Sequence, residues 1–440
     1  MSMNLVIIPM EGVSQTMLWQ CREIMPTIWT IANRSLTFRR FYSSSTSAFQ
    51  SFSDFLHGSS SELDHNLFYP SKPGCLLGRS RNLFSILRQK GYATLGIQHE
   101  ESMPGYLRDN CLGAWPEECG EFRWHGDYDG FYDESLGFIE RASKSGTPFA
   151  LYYGDKASSP ADACAEKREN GAFHQWIDKG FSLMDGSAMK LMEKLAALSL
   201  LNKTVVVFYG PYGMDLWRHG IATGRVHAIE PYADLCWTPL LIYFNDQNIE
   251  TVENIASSID VKATILGILF PGEDFGEPPT NSTGIDLFAM ARTVAFSQNL
   301  FAMERENEGP ARGLMKSYAA TDGEQRLIIT SDGGIPGEGG MELYYDMRDP
   351  GNTRNLLDFF QLDSSGHISA FGISNSIHIH FAQSFKPHLV NSIAESYNRM
   401  RDLLMRLVKV KESEAFQHSA DKKQCKFFQE SAFNHKRRYR

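Results

Sequence analysis

Cysteine and tryptophan are scarce in this chain, seven of each in 440 residues. The cysteine count is odd, the spacing is scattered and no C-x-x-C pair occurs, which excludes a disulfide framework and a zinc knuckle. The expectation is free thiols in a reducing compartment. Long apolar runs are also missing. None approaches the roughly 20 residues that cross a bilayer as a helix. The first run, Leu5-Val6-Ile7-Ile8, lacks a basic stretch ahead of it and is too short for a signal-peptide core. We therefore expect a cytoplasmic protein without membrane contact. Positive charge is in deficit, with 43 Lys and Arg against 52 Asp and Glu and a net charge of -9. That argues against a broad nucleic-acid surface. The exception is the run from His435 to Arg440, which reads as a solvated tail or as a contact for an acidic partner.

What is present is an ordinary globular composition, 42% hydrophobic and 22% charged. It excludes wholesale disorder. Buried strands are expected at residues 4–10, 92–97, 148–153, 204–208 and 239–244. Helical periodicity marks 82–90, 181–200 and 388–410. Hydroxyl starts and a glycine stop suggest helices over 43–58 and 257–269. Strand–helix alternation up to about residue 270 implies a mostly parallel sheet covered on both faces. After residue 283 shorter strands at 326–330 and 341–345 suggest an antiparallel annex, with 332–340 as a turn-rich loop.

These pieces resemble, in this order, the alkaline phosphatase/sulfatase superfamily in its sulfatase branch. Asn4 to Glu11 resembles the family's first strand, which delivers an acidic metal ligand. Gly91-Tyr92-Ala93-Thr94 is similar to its Gly-Tyr-x-Thr unit, residues 258–266 to a later helix, and Gly284-Ile285-Asp286-Leu287 to a turn. The sharpest match is the run from Glu342 to Leu356, similar to the E-L-Y-D-L-x-x-D-P-x-E-x-x-N-L segment. The resemblance implies an α/β fold with a mostly parallel sheet sandwiched by helices and a smaller C-terminal antiparallel α+β subdomain. The expected division is a core at 1–282, a subdomain at 283–387, and a helix with a basic tail at 388–440.

The chemical positions that the resemblance implies are altered. The family carries a nucleophile at a helix N-terminus beside one or two divalent metals, with an Asp-His pair after a late strand. Glu11 falls at the first-strand ligand position; the bland alternative is a solvent-facing residue at a strand end. Gly12 stands where a second acid is common. Ala48 stands at the nucleophile, Ser51 at the following serine and Phe52 at a steadying arginine. Ser47 and Thr46 would substitute only after a slip in register, and otherwise cap the helix. Pro211 and Tyr212 occupy the Asp-His positions. Around them His219, Arg225, His99 and Lys156 lie near cationic positions of the family and would cradle a sulfate, phosphate or carboxylate. Each has a plainer reading as a surface or packing residue.

The expectation is a sulfatase-like protein without metal-dependent ester hydrolysis. It would bind a small anion through Arg225, Lys156, Ser51 and Ser47, or run a metal-free reaction with Glu11, Tyr212, His219 and His99 as acid/base groups. No cofactor is expected. One alternative is an active esterase or transferase holding one Ca, Mg, Mn or Zn ion through Asp215, His219, His227 and Glu230. Another is a non-catalytic scaffold. A small anionic ligand and a homo-oligomer are the expected partners.

Overall fold

The structure is a computed structural model. It describes residues 2–46, 48–60, 81–99, 115, 117–155, 173–214, 230–244, 250–275, 283–299, 316–332, 335–346, 348–349, 351–352, 354–371 and 387–418. The first part of the chain runs β1 (Asn4–Pro9), α1 (Gln15–Gln20), α2 (Pro26–Ala32), β2 (Leu36–Tyr42), α3 (Ala48–His57), α4 (Leu83–Gln89), β3 (Ala93–His99), β4 (Glu121–His125), α5 (Tyr128–Ser145) and β5 (Phe149–Gly154). It continues with α6 (Phe173–Ala197), β6 (Thr204–Tyr209), α7 (Ala233–Cys236), β7 (Leu240–Tyr243), β8 (Glu250–Ser257) and α8 (Asp260–Leu269). These strands form one eight-stranded sheet in the order β4-β3-β5-β1-β6-β7-β2-β8. Within it β7 runs antiparallel to both of its neighbours, while the remaining pairs are parallel. The sheet is therefore mostly parallel, as the alternation implied.

Strand periodicity of two explains how one sheet serves two cores. Along β1, Leu5 and Ile7 face a core built with Phe52, Phe55, Phe84 and Ile265 of α3, α4 and α8. Val6 and Ile8 face the other, built with Met17, Ile28, Phe131 and Leu191 of α1, α2, α5 and α6. A carboxylate links two of the covering helices. Asp185 of α6 accepts hydrogen bonds from the Thr27 and Ile28 amides at 3.1 and 2.8 Å, satisfying donors at the start of α2.

The annex is a four-stranded antiparallel sheet ordered β12-β11-β10-β9, made of β9 (Ala295–Asn299), β10 (Lys316–Thr321), β11 (Gln325–Asp332) and β12 (Ile335–Tyr345). A two-stranded sheet, β13 (Phe360–Leu362) and β14 (Ile368–Phe371), and the long helix α9 (Pro387–His418) complete it. Ile393, Tyr397, Met400 and Leu404 of α9 close a separate core over Tyr318, Leu327 and Leu343. The segment expected as a turn-rich loop at 332–340 instead extends a hairpin, since Asp332 pairs with Ile335 and Thr330 with Gly340. Ladder bonds come from the backbone, so glycine-rich sequence does not prevent them.

The run from Glu342 to Leu356 works as a latch. Asp346 is fully buried and forms an ion pair with the fully buried Arg326, whose Nη1 also donates to the Pro231 carbonyl at 3.1 Å. Asn352 accepts from the Ala233 amide at 2.5 Å, and Asn355 accepts from the Leu343 amide at 3.0 Å. The annex is thereby fastened to the residues that lead into α7. Among the described residues no helix is long and apolar enough to cross a membrane.

Candidate active site

In an open, mostly parallel sheet, ligands collect beyond the carboxyl ends of the strands. Here β1 and β6 lie side by side, and the Met10 amide donates to the Tyr209 carbonyl at 2.7 Å just past the end of β1. The two chains then stay together. The Gly12 amide donates to the Tyr212 carbonyl at 3.0 Å, and the Tyr212 hydroxyl donates to Glu11 Oε2 at 3.2 Å. Glu11 is 2% exposed and Tyr212 1%. The bland reading of Glu11 as a solvent-facing residue is thus corrected. The chain turns beneath the loop after β6 instead of emerging at the surface.

Two glycines make this turn possible. Gly12 has φ of +75°, a conformation that side chains disfavour, and a Cβ there would lie 3.3 Å from three side-chain atoms of Met214. Gly213 lets the backbone of Asp234 approach, because a Cβ would fall 2.0 Å from that residue's carbonyl oxygen. Met214 is itself buried at 1% exposure and belongs to the core on the α1/α2 side. The space beside Gly12 is therefore occupied by a thioether side chain.

The second wall comes from the stretch between β2 and α3. Ser43 Oγ lies within hydrogen-bonding reach of the Pro211 carbonyl, of the Ser45 carbonyl at 2.7 Å and of Ser51 Oγ at 3.1 Å. Ser43 and Ser51 are both fully buried. The structure thus bonds Glu11 to Tyr212 and links Ser51, through Ser43, to the carbonyl of the neighbouring Pro211. Phe52 is a buried core residue. Its ring packs edge-on against Tyr152 at 5.0 Å and Phe122 at 6.1 Å.

The same sheet edge continues through β5 and β3 to β4. His99 ends β3 opposite His125 at the end of β4. His99 is 1% exposed, with its ring 4.9 Å from that of Tyr128. His125 contacts Glu134. Asp155 directly follows β5 and is 3% exposed. Burial, and then the charge of Asp155, push the phenols of Tyr128, Tyr132 and Tyr153 above the usual tyrosine value. Asp155 was not among the expected site residues. Its signal was available, an acid immediately after a buried strand on the ligand side of the sheet. Lys156, His219, Arg225 and Ser47 lie outside the described residues, as do Asp215 and His227; Glu230 is described and half-buried.

Replacing Tyr212 with phenylalanine removes a donor from a buried carboxylate, which costs about 1–3 kcal/mol. Chemical denaturation checks this. An unchanged midpoint would contradict the hydrogen bond.

A sulfatase family model matches residues 4–270. The chain belongs to the sulfatase family. No curated protein sequence matches it. Among solved structures, a putative sulfatase from Bacteroides fragilis is similar at a TM-score of 0.56 and 13% identity, over 90% of this chain and 96% of its own. A structure described as a 2-O GAG sulfatase gives 0.60 and 13%, over 91% and 94%. A protein in the alkaline phosphatase superfamily from Vibrio parahaemolyticus gives 0.54 and 15%, over 89% and 88%. At such identities the likeness establishes the fold.

Members of the sulfatase family typically use metal, so the donor set beside β1 has to be weighed against one. Hard divalent cations take about six oxygen ligands or more. At the family's ligand positions in this sulfatase-family chain stand the Glu11 carboxylate, already bonded to a phenol, a glycine covered by Met214, and a proline. Among the described residues no three His, Cys, Asp or Glu side chains converge in a way that could hold a metal ion. Glu11 and Tyr212 by themselves do not make up the ligand set that a divalent ion takes.

Proposed function

We propose that this sulfatase-family chain does not carry out metal-dependent ester hydrolysis and instead binds a small oxyanion in the cleft at the carboxyl edge of its main sheet. One observation carries the reading. The carboxylate after β1 and the residue at the late-turn position, where the family places two metal ligands, are hydrogen-bonded to each other at 3.2 Å. The packing of Met214 against Gly12, whose φ is +75°, supports it, since a side chain there would be strained and would have to displace the methionine. Phe52 supports it too, because an aromatic core residue replaces a cationic one. Should the cleft also run chemistry, Glu11, Tyr212, His99 and His219 are the acid/base groups it would draw on, and Arg225, Lys156, Ser51 and Ser47 the groups that hold the anion.

The neighbours include a protein whose description places it in complex with its substrate D-glucosamine-2-N,6-O-disulfate. A sulfated or phosphorylated small molecule is therefore a natural ligand class to try first. A second reading, a scaffold that binds no anion, is favoured by the burial of Phe52 and Tyr212 among core residues.

The test is calorimetric titration with sulfate and phosphate, together with an aryl sulfate turnover assay with and without added Ca, Mg, Mn or Zn. The expected result is saturable anion binding and no metal-stimulated turnover. Metal-stimulated turnover would contradict the proposal, and absence of any anion binding would favour the scaffold.

A further inference from the structure

The hairpin of β13 and β14 turns through Asp363-Ser364-Ser365-Gly366-His367. The Asp363 amide donates to the His367 carbonyl at 2.8 Å, and Asp363 Oδ1 accepts from the Ser365 and His367 amides at 2.8 and 3.0 Å. These bonds close the turn without the imidazole. The His367 ring is held separately. Its Nε2 lies 2.8 Å from Asp402 Oδ1 of α9, and its Nδ1 lies 2.7 Å from Ser365 Oγ. A hydroxyl, an imidazole and a carboxylate are thus joined in sequence, in the annex and outside the cleft of the main sheet.

An ionised carboxylate only accepts, so the proton of a neutral His367 sits on Nε2 and Nδ1 is left as the acceptor. The Ser365 hydroxyl has one proton to give. It also lies 2.6 Å from Asp363 Oδ1, but that oxygen already accepts from two amides, whereas Nδ1 has an open lone pair. Either imidazole nitrogen can act as base once the other is held, and such a relay is recognised by geometry and roles, not by sequence order. Helix α9 steadies the turn. The Tyr397 hydroxyl donates to the Gly366 carbonyl at 2.9 Å, and Arg401 Nη2 donates to the Ser365 carbonyl. Gly366, with φ of +79°, permits that approach, because a Cβ there would lie 2.7 Å from Arg401 Nη2. The guanidinium places positive charge beside the hydroxyl, where an oxyanion would develop. A substrate can reach these groups, since Ser365 is exposed and the His367 and Asp402 side chains are 30% and 45% exposed. Leu362 and Phe371 of the same hairpin are exposed as well, and offer apolar surface to an acyl or aryl group.

We propose that Ser365, His367 and Asp402 hydrolyse small carboxylic esters with good leaving groups, such as phenyl esters, at the annex surface. Ser365 Oγ bonds to the ester carbonyl carbon while its proton passes to His367 Nδ1. The bond from that carbon to the leaving oxygen then breaks, and His367 returns the proton to the departing group. Water gives a proton to the same Nδ1 as its oxygen bonds to the acyl carbon. The acyl–Oγ bond breaks, the proton returns to Oγ, and a carboxylic acid leaves. Asp402 touches no substrate; it is a positioning residue that holds the imidazole tautomer. The site neither needs nor supports the anion-binding reading of the main cleft.

The experiment follows p-nitrophenyl acetate hydrolysis by the full-length protein and labels it with a fluorophosphonate, which bonds to an activated serine oxygen with loss of fluoride. Mass spectrometry of the labelled wild type is expected to find the adduct on Ser365, a readout that needs no variant. Ser365→Ala should lose both the label and the turnover. His367→Gln should slow both by at least about tenfold, since general-base catalysis supplies about 10²–10⁴. Asp402→Asn should also slow both, and Asp402→Glu should recover most of the rate. Thermal unfolding confirms that the variants are folded. An adduct absent from Ser365, unchanged turnover in Ser365→Ala, or labelling of His367→Gln as fast as wild type would each overturn the proposal. Asp402→Asn as fast as wild type, or Asp402→Glu as slow as Asp402→Asn, would overturn the positioning role.

Discussion

Asp346→Ala is expected to lower stability by about 3–5 kcal/mol, the usual cost of removing one partner of a buried ion pair. Asp346 and Arg326 are both fully buried, with Nε and Oδ1 at 2.7 Å. Burial, the largest single influence, would pull the Arg326 guanidinium down; the charge of Asp346, joined by Cys236, Tyr42 and the hydrogen bond to Asp346, holds the group above its ordinary value. Without Asp346 the guanidinium keeps only neutral contacts, among them the Pro231 carbonyl and the face of the Tyr42 ring at 5.2 Å. Thr321 also loses its acceptor. The effect should reach beyond the annex, because Arg326 fastens the residues before α7, and α7 borders the turn at 210–214. Removing both charges, as Arg326→Met with Asp346→Leu, should cost less than the single change, since no bare charge remains. Urea unfolding of the three variants checks the order. A loss under about 1 kcal/mol for Asp346→Ala would contradict a desolvated pair.

The other large effect is expected at Gly213. An alanine Cβ would lie 2.0 Å from the Asp234 carbonyl oxygen and 3.1 Å from Ser14 Cβ. Backbone lies on one side and the start of α1 on the other, so little can move without parting the loop after β6 from α7. The Gly213 amide also donates to the Leu235 carbonyl at 2.8 Å, and that bond would be strained. We expect Gly213→Ala to cost about 3 kcal/mol, the upper part of the overpacking range. Tyr212 precedes this residue, so its hydrogen bond to Glu11 should loosen at the same time. Denaturation midpoints together with tyrosine fluorescence would show both changes. A folded variant of wild-type stability would mean that the turn is looser than described.

Much of the fold was legible because its central strands are buried on both faces. Residues 204–208 and 4–10 read as unbroken apolar runs, and β6 and β1 lie there. Strand β2 was missed because Arg39 and Arg40 interrupt its pattern; each satisfies its charge in an ion pair, with Glu253 and Glu324. Strand β4 is an edge strand with partly exposed residues and gives little signal. The polar helix α5, with glycines at 130 and 137, also escaped notice. Two helix starts were placed too early. The serines before α3 lie outside the helix, Ser43 reaching Pro211 and Ser44 reaching Ser258 across the fold while Ser43 and Ser45 also bond to Ser51 and Gln50 of the helix, and Ser257 ends β8 while its amide donates to Asp260. At the site, Glu11 and Tyr212 were each legible as departures from a family pattern. Their bond to each other was not, because it joins residues 201 positions apart. Nothing in local spacing encodes such a contact; it follows from β1 and β6 being neighbours. The part played by Met214 was equally hidden, since a methionine carries no chemical signature in sequence and fills space wherever the fold leaves it.

The measurement that bears most directly on all this is elemental analysis of the full-length protein, purified without chelators and dialysed against metal-free buffer. The account predicts well below one equivalent of Ca, Mg, Mn or Zn per chain, and no gain in thermal stability when these ions are added back. About one tightly held divalent ion per chain, retained through dialysis and lost on Glu11→Ala, would contradict it.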